Sequence, residues 1–164
     1  YPSGYQWFDL YPNGIYISEA GPQEIEIIKK DIEDSVLKIE QTIKSYIQNL
    51  NIALSDCIVI GFSQGGMMTF EFGNHMQDQL CALAILSGRI MNDVNITNSH
   101  LLKTPIFISH GDNDDVLPIS NFNSSVKYLK KNQFNFESHI IEGDTHIISP
   151  NTINLLQKFI KKNL

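Results

Sequence analysis

Six residues, Gly61 to Gly66 (GFSQGG), constrain this chain more than any other stretch. An apolar run, Cys57, Ile58, Val59 and Ile60, leads into them, and a helix-compatible run, Met67, Met68, Thr69 and Phe70, leads out. A strand that turns abruptly into a helix through G-x-S-x-G needs glycine on either side of the turn, because side chains at Gly61 or Gly65 would crowd it. The turn pushes the Ser63 hydroxyl out above the sheet. The first N–H groups of the following helix lack intrahelical partners and sit at the positive end of its dipole, so the Gln64 N–H is placed to hold an oxyanion. Ser63 is therefore a candidate nucleophile. A hydroxyl is a poor nucleophile at neutral pH, so an imidazole must take its proton and a carboxylate must fix the tautomer of that imidazole.

The rest of the chain reads as strands alternating with helices. Tyr1 to Asn13 is an ordered loop in which Trp7 and Phe8 plug an apolar surface, and Ile15 to Ile17 is read as a short extended piece. From Pro22 to about Leu50, Ile25, Ile28, Ile32, Val36, Ile39, Ile43, Ile47 and Leu50 recur at spacings of three and four, which predicts one long helix. The stripe is core rather than a partner zipper and is expected to pack on the sheet. Asn49 and Asn51 suit the end of this helix.

Cys57 to Ile60 is the strand before the turn, and Gly73-Asn74 marks the stop of the helix after it. Leu80 to Leu86 (LCALAIL) has the continuous apolar character of a strand buried on both faces. Arg89 to Lys103 is a polar excursion over the strand ends. Pro105 to Ser109 is the next strand, delivering the loop His110 to Asp115. Pro118 opens a helix with Ile119, Phe122, Val126 and Leu129 on one face; Phe134, Phe136 and Ile140 alternate in a last strand, which leads to the loop Glu142 to His146. Ser149 and Pro150 suit the N-cap and first position of a terminal helix with Ile153, Leu156 and Ile160 inward.

Such alternation specifies an α/β architecture, a mainly parallel sheet with helices on both faces, whose site lies beyond the carboxyl ends of the strands. Ser63, the acidic cluster Asp112 to Asp115 and His146 all fall at such ends, in the chain order Ser, Asp, His. Spacing alone leaves Asp112, Asp114 and Asp115 open as the acid. His110, at the end of its own strand, reads as a structural, hydrogen-bonded residue. No metal site is expected: His75, His100 and His139 sit in unrelated segments, and the DNDD run lacks the glycine and glutamate of a calcium loop.

GFSQGG, SHGDNDDVLP and GDTH, with the upstream WFD of Trp7 to Asp9, resemble the phospholipase/carboxylesterase family of α/β-hydrolases, which includes the acyl-protein thioesterases. The likeness runs from about Trp7 to the end. It implies the α/β-hydrolase fold and hydrolysis of carboxylic esters or thioesters without metal or organic cofactor. It also makes Asp114 the acid, as the second aspartate of the family's His-Gly-Asp-x-Asp stretch, and His146 the base. A dienelactone-hydrolase-like enzyme is the alternative, although cysteine would be expected at the nucleophile; a non-catalytic remnant acting as a binding module is the reading from a different class.

Charge narrows the partners. A formal net charge of -6 with a single arginine, Arg89, excludes a basic face for nucleic acid. No apolar run is long enough for a transmembrane segment. Two cysteines in strand-like runs make no disulfide framework in 164 residues, which suits a cytoplasmic protein. The apolar residues Trp7, Met67, Met91, Val116, Leu117 and Ile147 fall in or beside the site loops and are the candidate substrate-binding residues. They favour a small-molecule ester or thioester with an apolar acyl chain, or an acylated protein or lipid.

Residues 1–164 read as a single α/β-hydrolase domain that is N-terminally incomplete: members of the family begin with further strands and a His-Gly loop that supplies a second oxyanion donor. Without them the strand before Ser63 is expected at the edge of the sheet, where it can pair with a second copy to form a homodimer.

Overall fold

The computed structural model describes residues 4–91 and 99–164. Four strands, β1 (Ile58–Phe62), β2 (Ala82–Leu86), β3 (Ile106–Gly111) and β4 (Phe136–Ile141), form one sheet in the order β1-β2-β3-β4, every pair parallel. Helices α1 (Pro22–Leu50), α2 (Gln64–His75), α3 (Ile119–Lys131) and α4 (Pro150–Asn163) connect and cover it.

Side-chain alternation divides β2 and β3 between two cores. Leu83, Ile85, Ile106 and Ile108 face one side and meet Ile28, Ile32 and Val36 of α1, Met67, Met68, Phe70 and Phe72 of α2, and Phe122 and Leu129 of α3. Ala82, Ala84, Leu86 and Phe107 face the other side, where Leu156 and Phe159 of α4 close the layer. The apolar run of β2 is thus covered on both faces, as its composition requires. Because every strand runs the same way, their carboxyl ends lie along a single edge, and the loops after β1, β3 and β4 meet there.

Among the described residues β1 has a strand neighbour on the β2 side alone.

Several local expectations need correction. The extended piece read over Ile15 to Ile17 holds for Ile15 (φ −100°, ψ 125°) and Tyr16 (φ −65°, ψ 140°) and fails at Ile17. Asn13 and Gly14 take positive φ (54° and 76°) and turn the chain, so that the Ile17 N–H bonds to Leu10 O at 2.9 Å and Ile17 opens a 3-10 turn, Ile17–Glu19. In the loop before it, Phe8 is the plug, whereas Trp7 stays 44% exposed. The long helix buries its N-terminal half, through Glu24, Ile28, Ile32, Ser35 and Val36, while Ile39, Ile43 and Ile47 farther along are only partly buried. Ile25 lies off the buried face beside Glu24, and Leu50 lies at the far end; both are exposed. It packs chiefly on α2 rather than on the sheet.

At the other end, Phe134 precedes β4 and packs with Phe70 and Tyr128, while Ile140, on an edge strand, is exposed. In α4 the inward face is Thr152, Leu156 and Phe159, leaving Ile153 40% exposed and Ile160 half-buried. Ser149 Oγ accepts from the Thr152 N–H and Pro150 is the first helical residue, as read from the sequence. In the excursion from Arg89 to Lys103, residues 92–98 lie outside the described residues. Its described ends are pinned, Ile90 by an N–H bond to Ser125 Oγ at 2.9 Å and Leu101 by burial.

Candidate active site

Ser63 sits between β1 and α2 with φ 55° and ψ −120°, a region that non-glycine residues occupy only when their surroundings force it. The force comes from packing below the turn. A Cβ at Gly61 would lie 2.0 Å from Gly65 O, so β1 and the first turn of α2 touch backbone to backbone. The Ser63 N–H bonds to Leu86 O at 2.8 Å, which ties the turn to the end of β2. The expected crowding at Gly65 is not found: a Cβ there would meet Trp7 Nε1 at an ordinary 3.8 Å. The second tight position is Gly66, whose Cβ would lie 3.2 Å from Gly61 O. The reason is the direction of the first helical turn, which aims position 66, not 65, back at the strand.

Three side chains meet above this turn. Ser63 Oγ lies 2.8 Å from His146 Nε2, and His146 Nδ1 lies 2.7 Å from Asp114 Oδ2. The carboxylate can only accept, so Nδ1 carries the proton and Nε2 is free to accept from the serine hydroxyl. The Phe62 ring, with its centroid 4.8 Å from that of His146, packs against the imidazole. Asp114 has a fully buried side chain, and its other oxygen, Oδ1, accepts from the N–H groups of Val116 (3.0 Å) and Leu117 (2.8 Å). Burial pushes its carboxyl up; the hydrogen bond from His146, the Leu117 N–H, the His146 charge and the Val116 N–H outweigh that and hold it below the usual carboxylate value. Asp114 is therefore held ionised.

The other aspartates of the loop do different work. Asp112 is exposed, and its Oδ1 accepts from the Gly143 N–H at 2.7 Å, bracing the loop that carries His146. Asp115 is exposed. The loops that carry Asp114 and His146 also touch through backbone: the Asn113 N–H bonds to Asp144 O at 3.0 Å, and a Cβ at Gly111 would sit 2.2 Å from that same oxygen. Among the described residues no group of three or more His, Cys, Asp or Glu is arranged to hold a metal ion. His75 pairs with Glu40 and His139 with Glu137.

Gln64 opens α2, which puts its N–H among those without an intrahelical acceptor. Its side chain does something that the motif alone did not show: Oε1 accepts from the Trp7 N–H and Nε2 donates to Phe8 O, both at 2.8 Å. The loop bearing Trp7 is thereby strapped to the turn. The candidate substrate residues divide. Trp7, Val116 (60% exposed) and Ile147 (49% exposed) are open to solvent next to Gln64, Asp114 and His146 respectively. Met67 and Leu117 are buried, and Met91 is half-buried against the main core. Arg89 points its guanidinium at Asn121 of α3, and burial lowers its pKa. His110, read as structural, is indeed buried and bonded to Leu117 O; it also lies 3.3 Å from Asp114 Oδ2. The four-residue spacing from Asp114 across a tight loop was the signal available for that contact.

Residues 2–164 match the phospholipase/carboxylesterase family. Acyl-protein thioesterase 1 homolog 1 of Dictyostelium discoideum is 28% identical over 160 residues, covering 96% of this chain and 67% of that protein. Acyl-protein thioesterase 1 of Saccharomyces cerevisiae is 29% identical over 170 residues, covering 96% and 68%. The chain thus spans about two thirds of the length of these relatives. Among solved structures, that of a SOBER1 variant from Arabidopsis thaliana aligns with a TM-score of 0.78 at 21% identity, covering 96% of this chain and 73% of that one. The fold is that of the α/β-hydrolases.

Proposed function

Because the chain belongs to the phospholipase/carboxylesterase family, we propose that it hydrolyses carboxylic esters or thioesters through an acyl-enzyme on Ser63. The observation that carries this reading is the continuous relay from Ser63 Oγ to His146 Nε2 (2.8 Å) and from His146 Nδ1 to Asp114 Oδ2 (2.7 Å). Ser63 Oγ attacks the acyl carbonyl carbon as His146 Nε2 takes the hydroxyl proton, and ionised Asp114 stabilises the imidazolium that forms. The Gln64 N–H donates to the developing oxyanion. When the tetrahedral intermediate collapses, the bond to the leaving oxygen or sulfur breaks and His146 returns the proton to that atom. A water then repeats the sequence on the acyl-enzyme and releases the acid.

The relatives named as acyl-protein thioesterases support acyl substrates, and the exposed Trp7, Val116 and Ile147 give the acyl chain an apolar surface. This chemistry draws on no metal or organic cofactor. A single hydrolase domain over residues 1–164 and a cytoplasmic setting belong to the same proposal, the second supported by two free cysteines; no described helix is long and apolar enough to cross a membrane. The test combines a fluorophosphonate probe with a screen of p-nitrophenyl esters and acyl-thioesters. Adduct on Ser63 and turnover of at least one class are expected; an adduct on another residue, or no labelling and no turnover, overturns the reading.

A further inference from the structure

His110 lies at the next-to-last position of β3, buried with its side chain fully enclosed, and its two ring nitrogens have unequal fates. Nε2 is 2.7 Å from Leu117 O and 3.3 Å from Asp114 Oδ2. A carbonyl oxygen can only accept, so Nε2 carries a proton. Nδ1 is buried with no hydrogen-bond partner among the described residues. A proton there would be an unpaired buried donor, so the pocket favours Nε2 as the nitrogen that donates. An unpaired buried acceptor is itself costly, and a phenylalanine in this place beside Phe122 would avoid that cost. The cost is offset by what the Nε2–H holds.

What it holds is both ends of the acid loop. Leu117 gives its N–H to Asp114 Oδ1 and its carbonyl to His110, while the longer arm of the same Nε2–H reaches Asp114 Oδ2. The rigid end of β3 is thus bolted to the loop that aims the carboxylate at His146. Resting on the triad assignment proposed above, we infer that His110 is a positioning residue of this site: through Leu117 O and Asp114 Oδ2 it keeps Asp114 in contact with His146 Nδ1. The bond to Leu117 O is the shorter of the two, so fixing the loop is its dominant effect. Draining negative charge from the carboxylate is the lesser one.

The two effects move His146 in opposite directions, which makes the inference testable without turnover. A loosened Asp114 stabilises the imidazolium less and lowers the pH at which His146 titrates. A merely undonated Asp114 would stabilise it more and raise that pH. Among the described residues the ionisable groups near His146 are few. Asp114 faces it from the β3–α3 loop, with His110 behind. Asp112 is engaged with the Gly143 N–H, and Asp144 has one buried carboxylate oxygen; β1 and α2 contribute the Phe62 ring and the Ser63 hydroxyl.

The experiment follows the His146 imidazole by NMR titration in the wild-type protein, in His110→Phe, which keeps the ring shape, and in His110→Gln, whose amide nitrogen can reach Leu117 O. His110→Phe should lower the His146 midpoint by about half a pH unit or more. It should also cut kcat about tenfold with KM little changed, the loss of one good hydrogen bond at the site. His110→Gln should restore most of both. An unmoved midpoint in His110→Phe reduces His110 to packing, and a raised midpoint makes it a charge donor; either result overturns the inference. If His110→Phe does not fold, His110→Asn, whose amide falls short of Leu117 O, takes its place with the same expected fall. Absence of all turnover with the midpoint still falling would sink the hydrolase reading and leave this inference standing.

Discussion

The two sides of the site are held in place by different physics. On the nucleophile side, Ser63 is fixed by backbone: β1 and α2 touch at Gly61 and Gly65, and the serine is driven into positive φ. On the acid-base side, Asp114 and His146 are fixed by hydrogen bonds, among them Val116 and Leu117 N–H to Asp114 Oδ1 and Gly143 N–H to Asp112. Steric placement is all-or-none, because a backbone atom has nowhere to go. Hydrogen-bonded placement is graded, because each bond contributes ~1 kcal/mol and others survive its loss. The nucleophile side should therefore fail by misfolding, and the acid-base side by losing rate while staying folded.

The largest effect is expected where both sides meet. Ser63→Ala or His146→Ala should each reduce kcat by about 10⁴-fold or more, and combining the two with Asp114→Asn should add little, because the three act as one unit. Within the hydrogen-bonded side, Asp114→Asn should cost far more than Asp112→Asn, since Asp112 braces the loop of His146 without touching it; the reverse order in ester kinetics would show the acid to be misassigned.

Next comes the steric side. Gly61→Ala places a methyl group 2.0 Å from Gly65 O and should cost about 3 kcal/mol or more in urea unfolding, while Gly65→Ala, in ordinary contact with Trp7, should change stability by less than about 1 kcal/mol. Equal effects would show that the close approach of Gly61 to Gly65 O is not what holds the nucleophile side.

The smallest effect concerns a polar exception on the steric side. Glu71 of α2 is half-buried with no charge partner among the described residues, and burial raises its carboxyl to about 7. Its folded value lies above the 4.5 of the free side chain, so the protonated form favours folding: stability is highest below the unfolded value and falls as pH rises toward about 7. The drop from pH 4.5 to 8 is on the order of 3 kcal/mol at most, and Glu71→Gln should remove it. Urea midpoints at the two pH values measure it, and an unchanged slope in Glu71→Gln would place the titrating group elsewhere.

Legibility in the sequence followed the same division. The turn at Ser63 could be read because steric demands are written as residue types, glycine where nothing else fits, and because LCALAIL is apolar beyond what a half-exposed strand tolerates. The acid could not be read from spacing: Asp112, Asp114 and Asp115 are one residue type within four positions, told apart only by burial and by the partners the fold brings to them, and the family likeness was needed to single out Asp114. In α4 the face was read with the right period and a slightly rotated phase: Leu156 is buried and Ile160 packs against the core as read, but Phe159 rather than Ile153 points inward, because 3.6-residue repetition fixes spacing but not the direction of the core. Side-chain clamps such as Gln64 to Trp7 and Phe8 join residues more than fifty positions apart, and no local pattern announces them.

The relay from Ser63 to His146 closes across 83 residues, with β2, β3 and α3 assembled in between. Contacts of such long range come late in folding, since the entropy of closing the chain is spent before they give anything back. A half-folded chain can already carry a formed turn at Ser63, yet it has no imidazole to draw off the proton. On the proposed triad, hydrolysis therefore waits for β4 to join β3, and recovery of turnover during refolding should lag behind recovery of helical signal, timing the arrival of β4 beside β3.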